Sequence, residues 1–173
     1  DICGPTRLTS GRVPERAWGM LDPVIRAMID AVTAFGGTVI QIQGDGIMAL
    51  IGAPLAQENH AVRACYAAER KHQAIQESFG RASDDRPPIS IHIGIATGEA
   101  LVGTIGTDIH RGYNAMGEVI HIAARLQTLA GPKQTLCAAE TIRHASGLVT
   151  ARSRGVTPIR GRRHPSRRGP GRA

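Results

Sequence analysis

Apolar positions in this chain follow two rhythms, one of three and four residues and one of two. Over 17–35 the residues Leu21, Val24, Ile25, Met28, Ile29, Val32 and Phe35 make one apolar helical face, which Gly36-Gly37 ends. Asp22-Pro23 has the chemistry of an N-cap and first helical position, so the regular helix is expected to start there, after a separate turn. Residues 38–43 alternate Val39/Ile40 and Ile42 with Gln41 and Gln43, and 47–51 are nearly all apolar. Both read as strands, and Asp45-Gly46 between them predicts a tight hairpin. A second helix is expected over about 57–76, with Ala61, Val62, Cys65, Ala68 and Ile75 inward.

The polar, Pro-containing stretch 80–88 reads as a loop. Ile89, Ile91, Ile93 and Ile95 then alternate with Ser90, His92 and Gly94, the clearest half-buried strand in the chain. Gly98-Glu99 turns into a short strand over 100–105, followed by a loop over 106–112. A helix over 116–129 is expected to turn Val119, Ile120, Ala123, Ala124 and Leu126 inward. Residues 135–137 read as a strand, 139–145 as a short helix and 149–151 as a last strand fragment. Strand pairs interleaved with helices predict an α+β sandwich, with helices on one face of a mainly antiparallel sheet.

Composition narrows the function classes. With 42% hydrophobic but only 3% aromatic residues, the core must be aliphatic. No apolar run is long enough to span a membrane and no signal segment is visible, so a soluble, cytoplasmic protein is expected. Cys3, Cys65 and Cys137 are odd in number and far apart in sequence, against a disulfide framework or zinc site and in favour of packed thiols. The net charge of +7 invites a nucleic-acid role, but eight of the 21 basic residues lie from Arg152 onward, where there is no acid. Residues 1–151 therefore carry 13 basic against 14 acidic side chains and form no basic platform. The expected organisation is a folded domain over 1–151 and an Arg/Gly/Pro-rich, disordered tail over 152–173, with nucleic-acid binding disfavoured.

Candidate chemistry centres on Asp45. Its commonest role at such a position is to shape the turn. A catalytic role in nucleotide chemistry needs a second carboxylate, because Mg²⁺ takes hard oxygen ligands, and Asp1 is the candidate. Asp1 lies on an apolar fragment ahead of a glycine-containing loop, Gly4-Pro5-Thr6, whose backbone N–H groups could face phosphates. His121 and Arg125, four residues apart on a predicted helix, share one face; on spacing alone a surface ion pair is the commoner role for Arg125.

In order and spacing, four segments resemble the class III adenylate/guanylate cyclase catalytic domain. They are Asp1-Ile2-Cys3-Gly4-Pro5-Thr6, GGTVIQIQGDGIMALIGAP, IHIGIATGEALVGTIG and YNAMGEVIHIAARLQTLA. The resemblance implies a ferredoxin-like sandwich of the nucleotide cyclase fold and conversion of ATP, or GTP, to the 3′,5′-cyclic nucleotide and pyrophosphate. It implies Asp1, Asp45 and the Ile2 carbonyl as ligands of two Mg²⁺ or Mn²⁺ ions, and Gly4 and Thr6 near the phosphates. Arg125 would stabilise the transition state, with His121 where the family orients the ribose. Gln41 and Asn114 would read the base, and Arg160 stands where a phosphate-binding Lys is common. Sites would form at a homodimer interface, metals from one subunit and Arg125 from the other.

The departures from the family pattern matter. Gln41 and Asn114 are amides where adenylate cyclases have Lys and Asp or Thr; rotated by half a turn they match guanine as well as adenine. His121 replaces an Asn, and Pro5 replaces a Phe and removes a backbone donor. RRHPSRRGPGRA follows Gly161 where an apolar strand is usual, and the match implies a first strand beginning before Asp1. A catalytically weak dimerisation or nucleotide-sensing module is therefore the alternative reading.

Overall fold

The computed structural model describes residues 1–4, 11, 13–82, 87–107 and 110–155. The first helix, α1 (Pro14–Ala34), starts about two turns before Asp22. Pro14 stands at its start, where a missing N–H costs nothing, and Pro23 is carried inside it. Asp22 does not cap; its carboxylate accepts from Arg26 one turn on, at 2.7 Å. Val24 and Met28 are fully buried, as the three-and-four spacing requires.

β1 (Gly37–Gln43) and β2 (Gly46–Ile51) form the expected antiparallel hairpin. Its two-residue turn is Gly44-Asp45, one residue earlier than expected, because Gly44 supplies the positive φ of 58° and Gln43 closes opposite Gly46. The ladder slips between Val39 and Gln41, a bulge that absorbs the doubled apolar pair Val39/Ile40. α2 (His60–Phe79) begins three residues later than expected. The Gln57 carbonyl is held in the preceding turn, 3.2 Å from the His60 N–H and 2.9 Å from its ring Nδ1.

Ile89, Ile91 and Ile93 are all buried, so the alternation is real, yet only Ile93–Ile95 forms a strand, β3. Ahead of it the ladder reduces to one antiparallel bridge between Ile2 and Ile91. The expected loop over 106–112 is a correction: β4 (Leu101–Thr107) and β5 (His110–Met116) pair through it, with Gly106 opposite Arg111 and Gly112 opposite Ile105. A ladder needs only backbone groups, so these glycines punctuate the sequence without breaking the strand. α3 (Glu118–Leu129) consequently starts after Gly117, not at Met116, and Ala124 on it is exposed instead of inward.

β6 (Thr135–Cys137) runs parallel to β3, and α4 (Ala139–His144) follows. No strand forms over 149–151: Val149 packs beside Ala61, Val62 and Ala145, and the Leu148 carbonyl accepts from the Tyr66 hydroxyl. Among the described residues two of the three strand pairs are antiparallel, and helices pack on β1/β2 and on β3/β6, an α+β fold. The main core joins Ile2, Val24, Met28, Ala68, Ile75, Ile89 and Ile91, all aliphatic or sulfur-containing. The thiols of Cys65 on α2 and Cys137 on β6, far apart in sequence, are neighbours, and their interaction holds Cys65 down and pushes Cys137 up. No described helix is long and apolar enough to cross a membrane. The tail from 156 lies outside the described residues.

Candidate active site

The site begins with three residues. The Cys3 N–H donates to the Ser90 carbonyl at 2.8 Å and the His92 N–H to the Asp1 carbonyl at 2.9 Å, fastening Asp1–Cys3 beside the run into β3. The Ile2 N–H turns the other way and donates to the Asp45 carbonyl at 3.2 Å. In an extended strand the N–H and C=O of one residue share a side, so the Ile2 carbonyl also faces the hairpin turn. Ile2 itself is buried, 2% exposed, which anchors Asp1 from below. The backbones of Asp1, Ile2 and Asp45 are thus brought together across 44 positions of sequence.

The Asp1 carboxylate occupies a fitted place. A Cβ on Gly46 would lie 2.8 Å from Asp1 Oδ1, so only glycine after Asp45 leaves room for it. Oδ1 accepts from the Ile2 N–H at 3.0 Å, and Oδ2 accepts from the Gln127 side-chain amide at 3.0 Å. Asp45, at the hairpin tip, is half-buried. Among the described residues no group of three or more His, Cys, Asp or Glu side chains could hold a metal alone. Two carboxylates and a carbonyl are hard oxygen donors that leave positions for phosphate oxygens and water, which suits Mg²⁺ or Mn²⁺ arriving with a nucleotide.

Behind this pair, Asp1, Lys71, His92 and Gln127 line a cavity of about 540 Å³ between β2 and β3. Lys71 is 8% exposed, and burial pushes its ammonium down to about 8. Sequence reasoning missed Lys71, because a charged side chain on a helix ordinarily reads as solvated. It also missed His92 and Gln127, although His92 stands on the polar side of the 89–95 alternation.

The remaining expected residues are not gathered at the carboxylates. His121 and Arg125 are exposed on one face of α3, and among the described residues neither hydrogen-bonds or pairs with Asp1 or Asp45. Gln41 is exposed on β1 opposite Met48. Asn114 is exposed on β5, which contacts β1, and its Oδ1 accepts from the Ala115 N–H at 2.8 Å. Gly4 follows the Ile2 bridge with φ 63°. Thr6, Pro5 and Arg160 lie outside the described residues.

Comparisons with known proteins point one way. The model of the adenylate and guanylate cyclase catalytic domain matches residues 1–168. Adenylate cyclase 1 of Rhizobium meliloti is 31% identical over 166 residues, covering 94% of this chain, and a Mycobacterium tuberculosis protein of uncharacterised function is 33% identical over 171 residues, covering 96%. This chain spans 25% and 29% of the lengths of those relatives. Among solved structures, the adenylyl cyclase CyaB from P. aeruginosa superposes with a TM-score of 0.85 at 26% identity, covering 95% of this chain and 86% of that one. The guanylyl cyclase Cya2 superposes with a TM-score of 0.82 at 28% identity, covering 91% and 84%. With the fold and the family match in agreement, the chain belongs to the adenylate and guanylate cyclase catalytic domain family and has the class III nucleotide cyclase fold.

Proposed function

We propose that the domain converts a nucleoside triphosphate, ATP or GTP, to its 3′,5′-cyclic nucleotide and pyrophosphate. The observation that carries this reading is the meeting of Asp1 and Asp45, with the Ile2 N–H on the Asp45 carbonyl at 3.2 Å. Asp1, Asp45 and the Ile2 carbonyl would hold two Mg²⁺ or Mn²⁺ ions, which when bound supply Lewis-acid activation of the ribose 3′-hydroxyl and charge neutralisation on the triphosphate. The chain's own part is positional and electrostatic. Ile2 burial and the Gly46 gap fix the Asp1 carboxylate, and the hairpin turn would present Asp45 beside it.

Arg125 would place its guanidinium against the α-phosphate as charge builds there during in-line attack. Its exposure, and its lack of a link to Asp1 or Asp45 in its own chain, fit service to the site of a second copy. Leu101 and Met116, opposite one another across β4 and β5, are 70% and 54% exposed, an apolar pair that a homodimer interface would cover. His121, one turn before Arg125, would meet the ribose of the same nucleotide. Gln41 and Asn114 would face the base, their amides allowing either purine. Gly4 and Thr6 would lie under the phosphates, with Arg160 as a further phosphate contact.

Cyclic product measured from ATP and from GTP with Mn²⁺, for wild type beside Asp45→Ala, tests the reading. Product from wild type that falls at least 100-fold in the variant is expected. Equal product from both would reject the site.

A further inference from the structure

The structure assigns Gln127 as a positioning residue for the Asp1 carboxylate, an inference that rests on Asp1 being a metal ligand. Gln127 lies on α3 two residues beyond Arg125, on a different face, and is half-buried where Arg125 is exposed. Its side-chain nitrogen Nε2 is 3.0 Å from Asp1 Oδ2 and 2.7 Å from His92 Nε2. An amide nitrogen has two N–H donors, and here each meets one acceptor. The Ala130 carbonyl, 3.1 Å from His92 Nδ1, can only accept, so it favours the tautomer with the hydrogen on Nδ1 and leaves Nε2 as the acceptor. His92 Nε2 is 3.8 Å from Asp1 Oδ2, too far to bond it directly, so Gln127 is the bridge.

The reach of Gln127 is itself built into the fold. A Cβ on Gly94 would lie 2.1 Å from the Ala123 carbonyl oxygen, 2.3 Å from the Gln127 nitrogen and 2.9 Å from its Cα. Glycine on β3 therefore lets the α3 backbone close onto the strand at the turn that carries Gln127. Asp1 Oδ1 is held by its own strand, through the Ile2 N–H, and Oδ2 by α3, which fixes the rotation of the carboxylate plane. A carboxylate so held needs little reorganisation to ligate a cation. The same helix carries Arg125 outward, so under the dimer reading α3 supports Asp1 of one site and supplies the guanidinium of the other.

The test uses Mn²⁺ binding, titrated by electron paramagnetic resonance with a non-cyclisable ATP analogue present, alongside thermal unfolding. Gln127→Met keeps the length and helix preference of the side chain but removes both donors. It is expected to weaken Mn²⁺ binding about 10-fold, as loss of a partner behind a ligand does, while leaving the melting temperature within a few degrees of wild type. Should that variant fail to fold, Gln127→Asn, one methylene too short to reach Asp1, is read in the same way. Asp1→Asn serves as reference: if it leaves Mn²⁺ binding unchanged, the site reading fails. If Asp1→Asn weakens binding and the Gln127 variants do not, the positioning role is overturned.

Discussion

At the scale of single residues, the structure makes Gly46 as important as the aspartate before it. Gly46 carries no positive φ, so alanine is tolerated by the backbone, but its methyl would stand 2.8 Å from Asp1 Oδ1. Gly46→Ala is therefore expected to cut cyclase activity at least 10-fold with little change in unfolding midpoint; an active variant would show that Asp1 need not sit where it does. Lys71 gives a pH prediction. Its folded-state value of about 8 lies below the ordinary 10.5, so the unfolded chain binds more protons between those values. Stability should then rise with pH across that window. Lys71→Met should flatten the rise and stabilise the protein at pH 7 by roughly 3 kcal/mol at most. Urea midpoints measured from pH 7 to 10 check this, and parallel slopes in both proteins would contradict it. The hairpin tip at Asp45 was legible in the sequence because Gly-Asp-Gly carries turn chemistry of its own. Lys71 and Gln127 were not, because nothing in a helix sequence tells which polar side chain faces inward toward a strand contributed from elsewhere.

At the scale of elements, α1, the first hairpin and the alternation over 89–95 could be read from periodicity alone, since each has one face in the aliphatic core. β5 could not. His110–Met116 has no clean alternation and contains glycine, and its pairing with β4 is set by a partner strand, not by its own pattern. The start of α1 was misread for a related reason: Asp22-Pro23 is good capping chemistry, but upstream residues continue the helix and Asp22 pairs with Arg26. Gly94 joins two elements. Gly94→Ala would drive a methyl into the α3 backbone at 2.1 Å, where no side chain can yield. A loss of several kcal/mol in denaturant unfolding is expected, comparable to the larger overpacking effects. A near-neutral result would mean that α3 does not rest on β3 as described.

At the scale of the molecule, the proposed function needs residues that one copy of the chain holds at two places. Asp1 and Asp45 meet at the hairpin turn, whereas Arg125 and His121 face solvent on α3. Under the proposed function, a homodimer in which each copy lends Arg125 to the other would reconcile the two places. Complementation measures this most directly. Asp45→Ala and Arg125→Ala are each expected to be inactive when assayed alone for cyclic product with Mn²⁺. Mixed in equal amounts and allowed to exchange subunits, they should recover about a quarter of wild-type activity, because half of the dimers are mixed and each of those rebuilds one intact site of two. If the mixture stays as inactive as its components while wild type is active, the shared site is contradicted.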